Sequence, residues 1–294
     1  MRMWPLESIS PQRVRIRCVP GASAMRRHYA RRRAYREAMR VRLAVVAALI
    51  AGTGVWASGA AASGGDAAAP PERRTIGTSV EGRPIEAIRY GTAGGVPVLV
   101  VGVIHGDEDA GLAIVDELAR LAPPAGVELW VVPTMNPDGT AAQTRGNARR
   151  VDLNRNFPHA WAPMGEPGYW QYAGPRRASE PETQAMVRLV REIRPALGIW
   201  YHQDLSMISP GTGREGLVRA QYARLTGLPL VRITGGRYTG VAATWQRRAV
   251  REGMAFVVEL GPTLSADEAR VHARAVMAVA RSVVRAAAPS GARD

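Results

Sequence analysis

The sequence predicts an α/β fold: a single domain with a mixed, largely parallel central sheet and helices on both faces. Three observations support this: strand-length apolar runs, helical patterns between those runs, and strands that are apolar on both faces. The length of 294 residues is ample for a sizeable core. The predicted strands are 96–104, 127–132, 196–201, 228–233 and 254–260, and the predicted helices are 108–121, 180–193, 215–226 and 266–287.

Each element follows from the local pattern, taken in chain order. The strand at 96–104 is an almost unbroken series of valine, leucine and isoleucine, and apolar residues at helical spacing follow at 108–121. The run 127–132 predicts the next strand. The sequence Ser179-Glu-Pro-Glu182 has the composition of a capping box, which predicts the start of the helix over 180–193. The remaining runs alternate with the remaining helical patterns, as parallel strands require.

Most of the positive charge lies in the first 42 residues. Twelve arginines and two glutamates give this region +10 of the chain's formal +14, so the rest carries +4. The chain after residue 42 carries too little positive charge to require a polyanionic partner. We therefore expect no binding to nucleic acid.

The basic region is followed by an uncharged apolar run and then by small residues, which is the order of an export signal. We expect a cleaved signal and a periplasmic or secreted protein; an uncleaved segment at 43–62 would instead anchor the chain to a membrane. Met39 begins a signal of ordinary length and is the expected start. The predicted organisation is a leader with signal or anchor at 1–62, a linker at 63–74, a folded domain at 75–287 and a tail at 288–294.

Polar residues follow several predicted strands, where a parallel sheet places its binding crevice. His105 and Glu108 come after the first strand, His202 follows the third, and Glu259 lies near the end of the last. Two histidines and a glutamate with an open fourth position make a catalytic zinc set. Because Cys18 is the only cysteine, thiolate metal sites are excluded. The alternative is that both histidines are core residues bonded to backbone groups.

A second polar group lies in the loop at 145–157, which is rich in arginine and asparagine. The guanidinium of Arg155 suits a carboxylate, and Asn154 stands beside it. Leu153 and Phe157 are apolar, so we expect them to bury the frame of the loop and to aim the two polar side chains together. A solvated arginine loop is the alternative.

These motifs together resemble the zinc metallocarboxypeptidase family of carboxypeptidases A and B. The compact bacterial murein peptide amidase type resembles the chain most, and it includes the segment Ile76-Gly-Thr-Ser-Val-Glu-Gly-Arg-Pro-Ile85. The resemblance extends over about 75–287. The motifs that carry it are His105-x-x-Glu108, Asn136-Pro-Asp-Gly139, the loop 145–157, His202, and Glu259 within Val-Val-Glu-Leu.

The resemblance implies one Zn²⁺ per chain, bound by His105, Glu108 and His202. It implies that Glu259 is the general base for a zinc-activated water, and that Arg145 polarises the scissile carbonyl and holds the oxyanion. Chemistry agrees with these roles, because a metal and a cation both stabilise the developing negative charge.

The resemblance further implies that Asn154 and Arg155 bind the free carboxylate of the departing residue, and that Tyr238 closes over the substrate. Tyr238 lies in a glycine-rich turn at 235–240, so a packing role is its alternative. The implied partner is a peptide with a free C-terminal carboxylate, and a murein peptide is the expected case.

The expected function is therefore that of an exported zinc-dependent carboxypeptidase acting on cell-wall peptides. Two alternatives stay open: a non-catalytic homologue that binds wall peptides, and a zinc-dependent deacylase of N-acyl amino acids. Glu259 favours catalysis, because a binding module requires no general base. The run Asn154-Arg-Asn-Phe157 favours a peptidase over a deacylase.

Three features depart from the family pattern or extend it. Arg150 stands where the murein type usually has glycine, and His202 is followed by Gln203-Asp204, whose carboxylate would alter the charge of the pocket. Aromatic residues cluster in a loop rich in proline and glycine, where they either wall the cleft or pack the loop. They are Trp161, Tyr169, Trp170 and Tyr172.

Overall fold

A computed structural model describes residues 71–233, 235–236 and 238–287 of the chain. The described strands are β1 (Glu72–Thr78), β2 (Pro84–Gly91), β3 (Val96–Val103), β4 (Val127–Thr134), β5 (Leu197–Gln203) and β6 (Met254–Leu260). The described helices are α1 (Gly111–Leu118), α2 (Pro137–Ala142), α3 (Pro181–Ile193), α4 (Gly213–Thr226), α5 (Ala242–Ala249) and α6 (Ala266–Ala287), and a 3₁₀ turn spans Leu153–Arg155.

The strands form one sheet in the order β1-β2-β4-β3-β5-β6. The four strands from β4 to β6 in that order are parallel, whereas β2 pairs antiparallel with both β1 and β4. The predicted mixed, largely parallel sheet is therefore confirmed. Because parallel strands end at the same edge, the carboxyl ends of β3, β5 and β6 meet there.

Helices cover both faces of the sheet, as the sequence predicts. Successive residues of β3 point to opposite faces. Val98 and Val100 pack in a core with residues of α1, α4 and α6. Leu99 and Val101 pack in a second core with residues of α3 and α5. A strand buried on both faces must be apolar throughout, which explains why the run at 96–104 shows no alternation.

The predicted strand at 228–233 is wrong. Only Leu230 forms a bridge, to Ile208, and its side chain is 43% exposed. The edge of β6 is already occupied, because Met207 and Glu259 exchange two backbone hydrogen bonds of 3.0 Å. Pro229 also has no N–H to give to a ladder. The apolar run therefore lies outside the sheet proper.

The region around the first strands also corrects the prediction. β1 begins at Glu72, so residues 72–74 belong to the sheet and not to the linker. The predicted capping box is wrong as well: the helix α3 is capped by Glu180 without a side-chain cap bond, and Glu182 accepts a hydrogen bond from the backbone N–H of Val80 instead. The elements β1, β2, α2 and α5 were not predicted.

Of the helices within the described ranges, none has the length and apolarity to cross a lipid bilayer. The predicted leader at 1–62 and the tail at 288–294 lie outside the described residues.

A buried histidine of α6, His272, belongs to a hydrogen-bonded group with Tyr222 and Tyr201. The hydroxyl of Tyr222 lies 2.9 Å from Nδ1 of His272 and 2.7 Å from the hydroxyl of Tyr201. Burial lowers the pKa of His272 to about 4, although the charge of Glu268 opposes the change. The imidazole is therefore neutral at pH 7 in the folded protein.

This shift makes stability depend on pH. The unfolded chain takes up a proton at His272 near pH 6.5 and the folded chain does so near pH 4, so stability is complete above pH 6.5 and falls as the pH drops between these values. We expect the metal-free protein to lose about 2 kcal/mol by pH 5 from this group, measured by urea unfolding at pH 7 and pH 5. A His272→Gln variant should lose that much less, and His159→Gln should behave like the parent. An equal loss in the His272 variant would contradict this account.

Candidate metal centre and active site

Three potential metal ligands lie at the carboxyl edge of the sheet. His105 follows β3, Glu108 lies three residues later before α1, and His202 is the second-last residue of β5. Because β3 and β5 are paired and parallel, residues far apart in the chain meet at this edge. The structure therefore brings the three predicted ligands together.

The ligand atoms of these residues converge. The carboxylate of Glu108 lies between the two rings, 2.9 Å from Nδ1 of His105 and 2.9 Å from Nδ1 of His202. The two Nδ1 atoms are 3.2 Å apart, and the donor atoms of the group all lie within 4.8 Å of one another. Two imidazole nitrogens and a carboxylate oxygen are a donor set that Zn²⁺ prefers, so the residues fit this metal.

Asp152 supports this group and was missed in the sequence. Its Oδ1 lies 3.0 Å from Nε2 of His105 and accepts a 2.9 Å hydrogen bond from the backbone N–H of Asn154. A carboxylate bonded to the outer nitrogen of a ligand histidine fixes the orientation of the ring. The signal was an acid between two apolar residues, Val151 and Leu153, in a loop already recognised as polar.

The charges of this cluster shift the pKa values of its members. Burial on its own would lower the pKa of His105, but the carboxylates of Glu108 and Asp152 outweigh it and raise the pKa to about 9. Burial on its own would raise the pKa of Glu108 and that of Asp152. The charge of His105 and the hydrogen bonds to both carboxylates outweigh burial and hold both pKa values below the ordinary range. The metal-free cluster is therefore a set of mutually compensating charges.

Arg145 lies directly against the metal group. Its Nε and one terminal nitrogen donate to Oδ2 of Asp152 at 3.0 and 2.9 Å, and the other terminal nitrogen donates to Glu108 at 3.0 Å. The guanidinium is thus held on two edges and stays partly accessible. A fixed cation therefore lies beside the three potential metal ligands.

Gln203 is a further contributor that the sequence did not reveal. Its backbone N–H donates to Glu108 at 3.1 Å, and its side-chain oxygen accepts from the N–H of Ala110 at 2.9 Å. These bonds tie the end of β5 to the segment that precedes α1. The next peptide bond, Gln203–Asp204, is cis, and Asp204 is exposed.

Asn154 and Arg155 lie on the 3₁₀ turn and are both buried. The amide of Asn154 contacts Nε2 of His202 at 3.2 Å with its nitrogen and accepts from the N–H of Ala242 at 3.0 Å with its oxygen. Arg155 donates to the carbonyl of Asn154 at 2.8 Å, and its Nε has no hydrogen-bond partner among the described residues. A buried guanidinium with a spare N–H is a natural anion receptor.

Glu259 lies on the strand next to His202. The two residues are register partners in β5 and β6, so their side chains leave the same face of the sheet. Burial raises the pKa of Glu259, the nearby charge of Glu108 adds to this, and His202 counteracts it. Glu259 is only partly buried, so it stays accessible to a ligand.

Tyr238 lies at the mouth of the site with 56% of its side chain exposed. Its ring stacks over the guanidinium of Arg155, with 5.5 Å from Cζ to the ring centroid. The turn that carries it is fixed two residues later: the carbonyl of Gly240 accepts a 3.0 Å hydrogen bond from Phe157, and a Cβ at Gly240 would lie 2.1 Å from the carbonyl oxygen of Arg155. The structure therefore brings Tyr238 to the predicted carboxylate clamp.

The loop position Arg150 has a φ of +60°, in the left-handed region that favours glycine. This explains why glycine is usual there in the murein type. The backbone of Arg150 is held by a 2.8 Å hydrogen bond to the carbonyl of Asn147. Arg150 therefore adopts the left-handed conformation although it carries a side chain.

Comparison with known proteins identifies the family of this chain. Residues 70–216 match the family model of the zinc carboxypeptidases, peptidase M14. Murein peptide amidase A of Escherichia coli (strain K12) is 32% identical over 211 residues, which cover 68% of this chain and 85% of that protein. Murein peptide amidase A of Vibrio campbellii is 28% identical over 204 residues, with coverage of 66% and 80%.

Solved structures share the fold. The crystal structure of murein-tripeptide amidase MpaA from Escherichia coli O157 matches with a TM-score of 0.58 and 28% identity, over 73% of this chain and 92% of that one. Carboxypeptidase A from Helicoverpa armigera matches with a TM-score of 0.63 and 21% identity, over 74% and 69%. Since the family model spans half of the chain and an amidase shares 32% identity over two thirds of it, this chain belongs to the zinc carboxypeptidase family of peptide hydrolases.

Proposed function

We propose that this protein is an exported zinc-dependent carboxypeptidase that hydrolyses the C-terminal amide bond of murein peptides. The observation that carries the proposal is the convergence of His105, Glu108 and His202 beside the buried guanidinium of Arg155. A metal group next to an anion receptor is the arrangement that a hydrolase of C-terminal bonds needs. Export rests on the basic, apolar and small-residue order of the N-terminal sequence.

His105, Glu108 and His202 would hold the zinc ion. When bound, zinc supplies a Lewis acid for the scissile carbonyl and lowers the pKa of a coordinated water. Asp152 holds the ring of His105 in the orientation in which Nδ1 faces the metal group. Glu108 contacts Nδ1 of both histidines, so the three side chains that would hold the ion already face one another.

Glu259 acts as the general base and then as the general acid. Its carboxylate takes a proton from the attacking water and returns it to the departing amine. The pKa of Glu259 is raised toward the pH at which the enzyme works, which makes its carboxylate a better proton acceptor. Arg145 stabilises negative charge on the carbonyl oxygen, because its guanidinium is already oriented by Asp152.

Arg155, with Asn154 beside it, binds the free carboxylate of the residue that leaves, and Tyr238 closes over it. Burial lowers the pKa of Arg155, and Asp152 counteracts this, so the guanidinium keeps its charge in a poorly solvated place. A carboxylate bound there gains more than it would at the surface. This selects the end of a peptide over an internal bond.

The assignment of a murein peptide as the substrate is supported by the similar proteins. Two proteins named murein peptide amidase A match with 80% or more of their own length, and MpaA is named as a murein-tripeptide amidase. We infer that this chain removes the C-terminal diamino acid of such a tripeptide.

The first test measures metal and product together. Purified protein should contain about one zinc ion per chain, and it should release diaminopimelate from a murein tripeptide. Chelation should abolish release and zinc should restore it. Zinc without release from murein peptides, ordinary peptides or N-acyl amino acids would favour a binding homologue; release from N-acyl amino acids alone would favour a deacylase; absence of zinc would refute the site.

A Glu259→Gln variant tests the general base. We expect kcat to fall by about a hundred- to ten-thousand-fold, because the proton acceptor is lost, while zinc content stays the same because Glu259 is not a ligand. The exposed Glu252 provides the matched control, and Glu252→Gln should keep full activity. Equal turnover by the Glu259 variant would exclude it as the base.

An Arg155→Met variant tests the carboxylate clamp. For a peptide with a free C-terminus, kcat/KM should fall about ten- to a hundredfold, because a charge-assisted hydrogen bond is lost. For the same peptide with an amidated C-terminus the variant and the parent should be similar. Arg150→Met removes an exposed arginine of the same loop and should change neither value. A uniform loss on both peptides would contradict the clamp.

A further inference from the structure

A loop rich in aromatic residues, 161–173, is fastened to the active-site loop. The indole N–H of Trp161 donates to the carbonyl of Ala173 at 3.1 Å, which closes the loop on itself. The backbone N–H of Asp152 donates to the carbonyl of Tyr172 at 2.8 Å, and the side chain of Asn156 donates to Ala173 at 2.8 Å. The aromatic loop is therefore held to the residues that orient His105 and Arg145.

Trp170 stands out in this loop because it is fixed at the site yet largely uncovered. Its ring lies over the guanidinium of Arg145, with 5.0 Å between Cζ and the ring centroid, and 61% of the residue is exposed. Tyr169 is adjacent, with 6.2 Å between the ring centroids. One face of the indole is used by Arg145, which leaves apolar area open toward solvent.

Two arginines of the site each stack against an aromatic ring. Tyr238 stacks on Arg155, which binds the departing residue in the proposed function, whereas Trp170 stacks on Arg145, beside the metal group. In the proposed function Arg145 faces the scissile carbonyl, so a ring that stacks on Arg145 is within reach of the part of the substrate beyond that carbonyl. That part of the substrate is the acyl side of the scissile bond.

We propose that Trp170 forms the wall of the subsite for the acyl segment of the substrate. The ligand is a peptide segment that lays its amide plane and methylene groups on the indole, as in a γ-glutamyl residue. This inference rests on the proposed function, since it takes its direction from the clamp at Arg155. Trp170 is thus a substrate-binding residue that determines how the upstream part of the peptide is held.

Kinetics with two substrates test the wall. For L-alanyl-γ-D-glutamyl-diaminopimelate, Trp170→Ala should raise KM about five- to tenfold with kcat within about twofold, and Trp170→Phe should restore most of the loss. For N-acetyl-diaminopimelate, whose acyl group is too small to reach the ring, all three proteins should be alike. Unchanged KM would overturn the proposal, and so would an equal fall of kcat on both substrates, which would assign Trp170 to the orientation of Arg145.

A binding measurement separates this inference from the proposed function. In the Glu259→Gln background the tripeptide should change tryptophan fluorescence, and the additional Trp170→Phe change should remove the signal, whereas Trp161→Phe should keep it. If the parent enzyme binds zinc but releases nothing, the proposed reaction fails while this titration still decides the role of Trp170. A fluorescence change that persists in the Trp170→Phe protein, or no fluorescence change in either protein, would contradict the proposed contact between Trp170 and the substrate.

Discussion

The buried carboxylate of Asp152 connects the parts of the site to one another. One oxygen contacts the ring of His105 and accepts a hydrogen bond from the backbone N–H of Asn154, and the other accepts two hydrogen bonds from Arg145. A buried charge without partners would cost several kcal/mol, whereas here each lone pair is used. His105, Arg145 and the loop of Asn154 are therefore oriented by the same carboxylate.

The sheet explains why these residues can meet at all. Parallel pairing of β5 with β3 on one side and β6 on the other places His202 between the segment of His105 and the strand of Glu259. The antiparallel strands β1 and β2 add width on the far side and contribute no predicted site residue. The potential metal ligands and Glu259 thus lie where three parallel strands end, and the helices cover the two faces of the sheet.

Strands that are buried on both faces could be predicted from the sequence, whereas partly exposed strands could not. The strands β3, β4, β5 and β6 are apolar on both faces, so composition alone reveals them. β1 is largely exposed and carries charged residues, which hides it. The run 228–233 has strand composition, but a strand also needs a free neighbour, and Met207 occupies that edge.

The site divides in the same way. His105, Glu108 and His202 could be predicted as a group because metal chemistry restricts the residue types that follow strands. Asn154 and Arg155 were predicted from the composition of their loop, and Arg145 was implied by the family resemblance. Asp152 could not be assigned, because its importance lies in a 3.0 Å contact with a residue 47 positions earlier. The same holds for Gln203, whose bonds to Glu108 and Ala110 depend on how β5 ends.

The contact between Gly240 and the backbone of Arg155 sets a boundary for redesign. A side chain at 240 would have to occupy the space of the Arg155 carbonyl, so a substitution there would displace the backbone of Arg155 together with the turn of Tyr238. The positions of Arg155 and Tyr238 therefore depend on one glycine, and redesign of either residue should leave Gly240 unchanged.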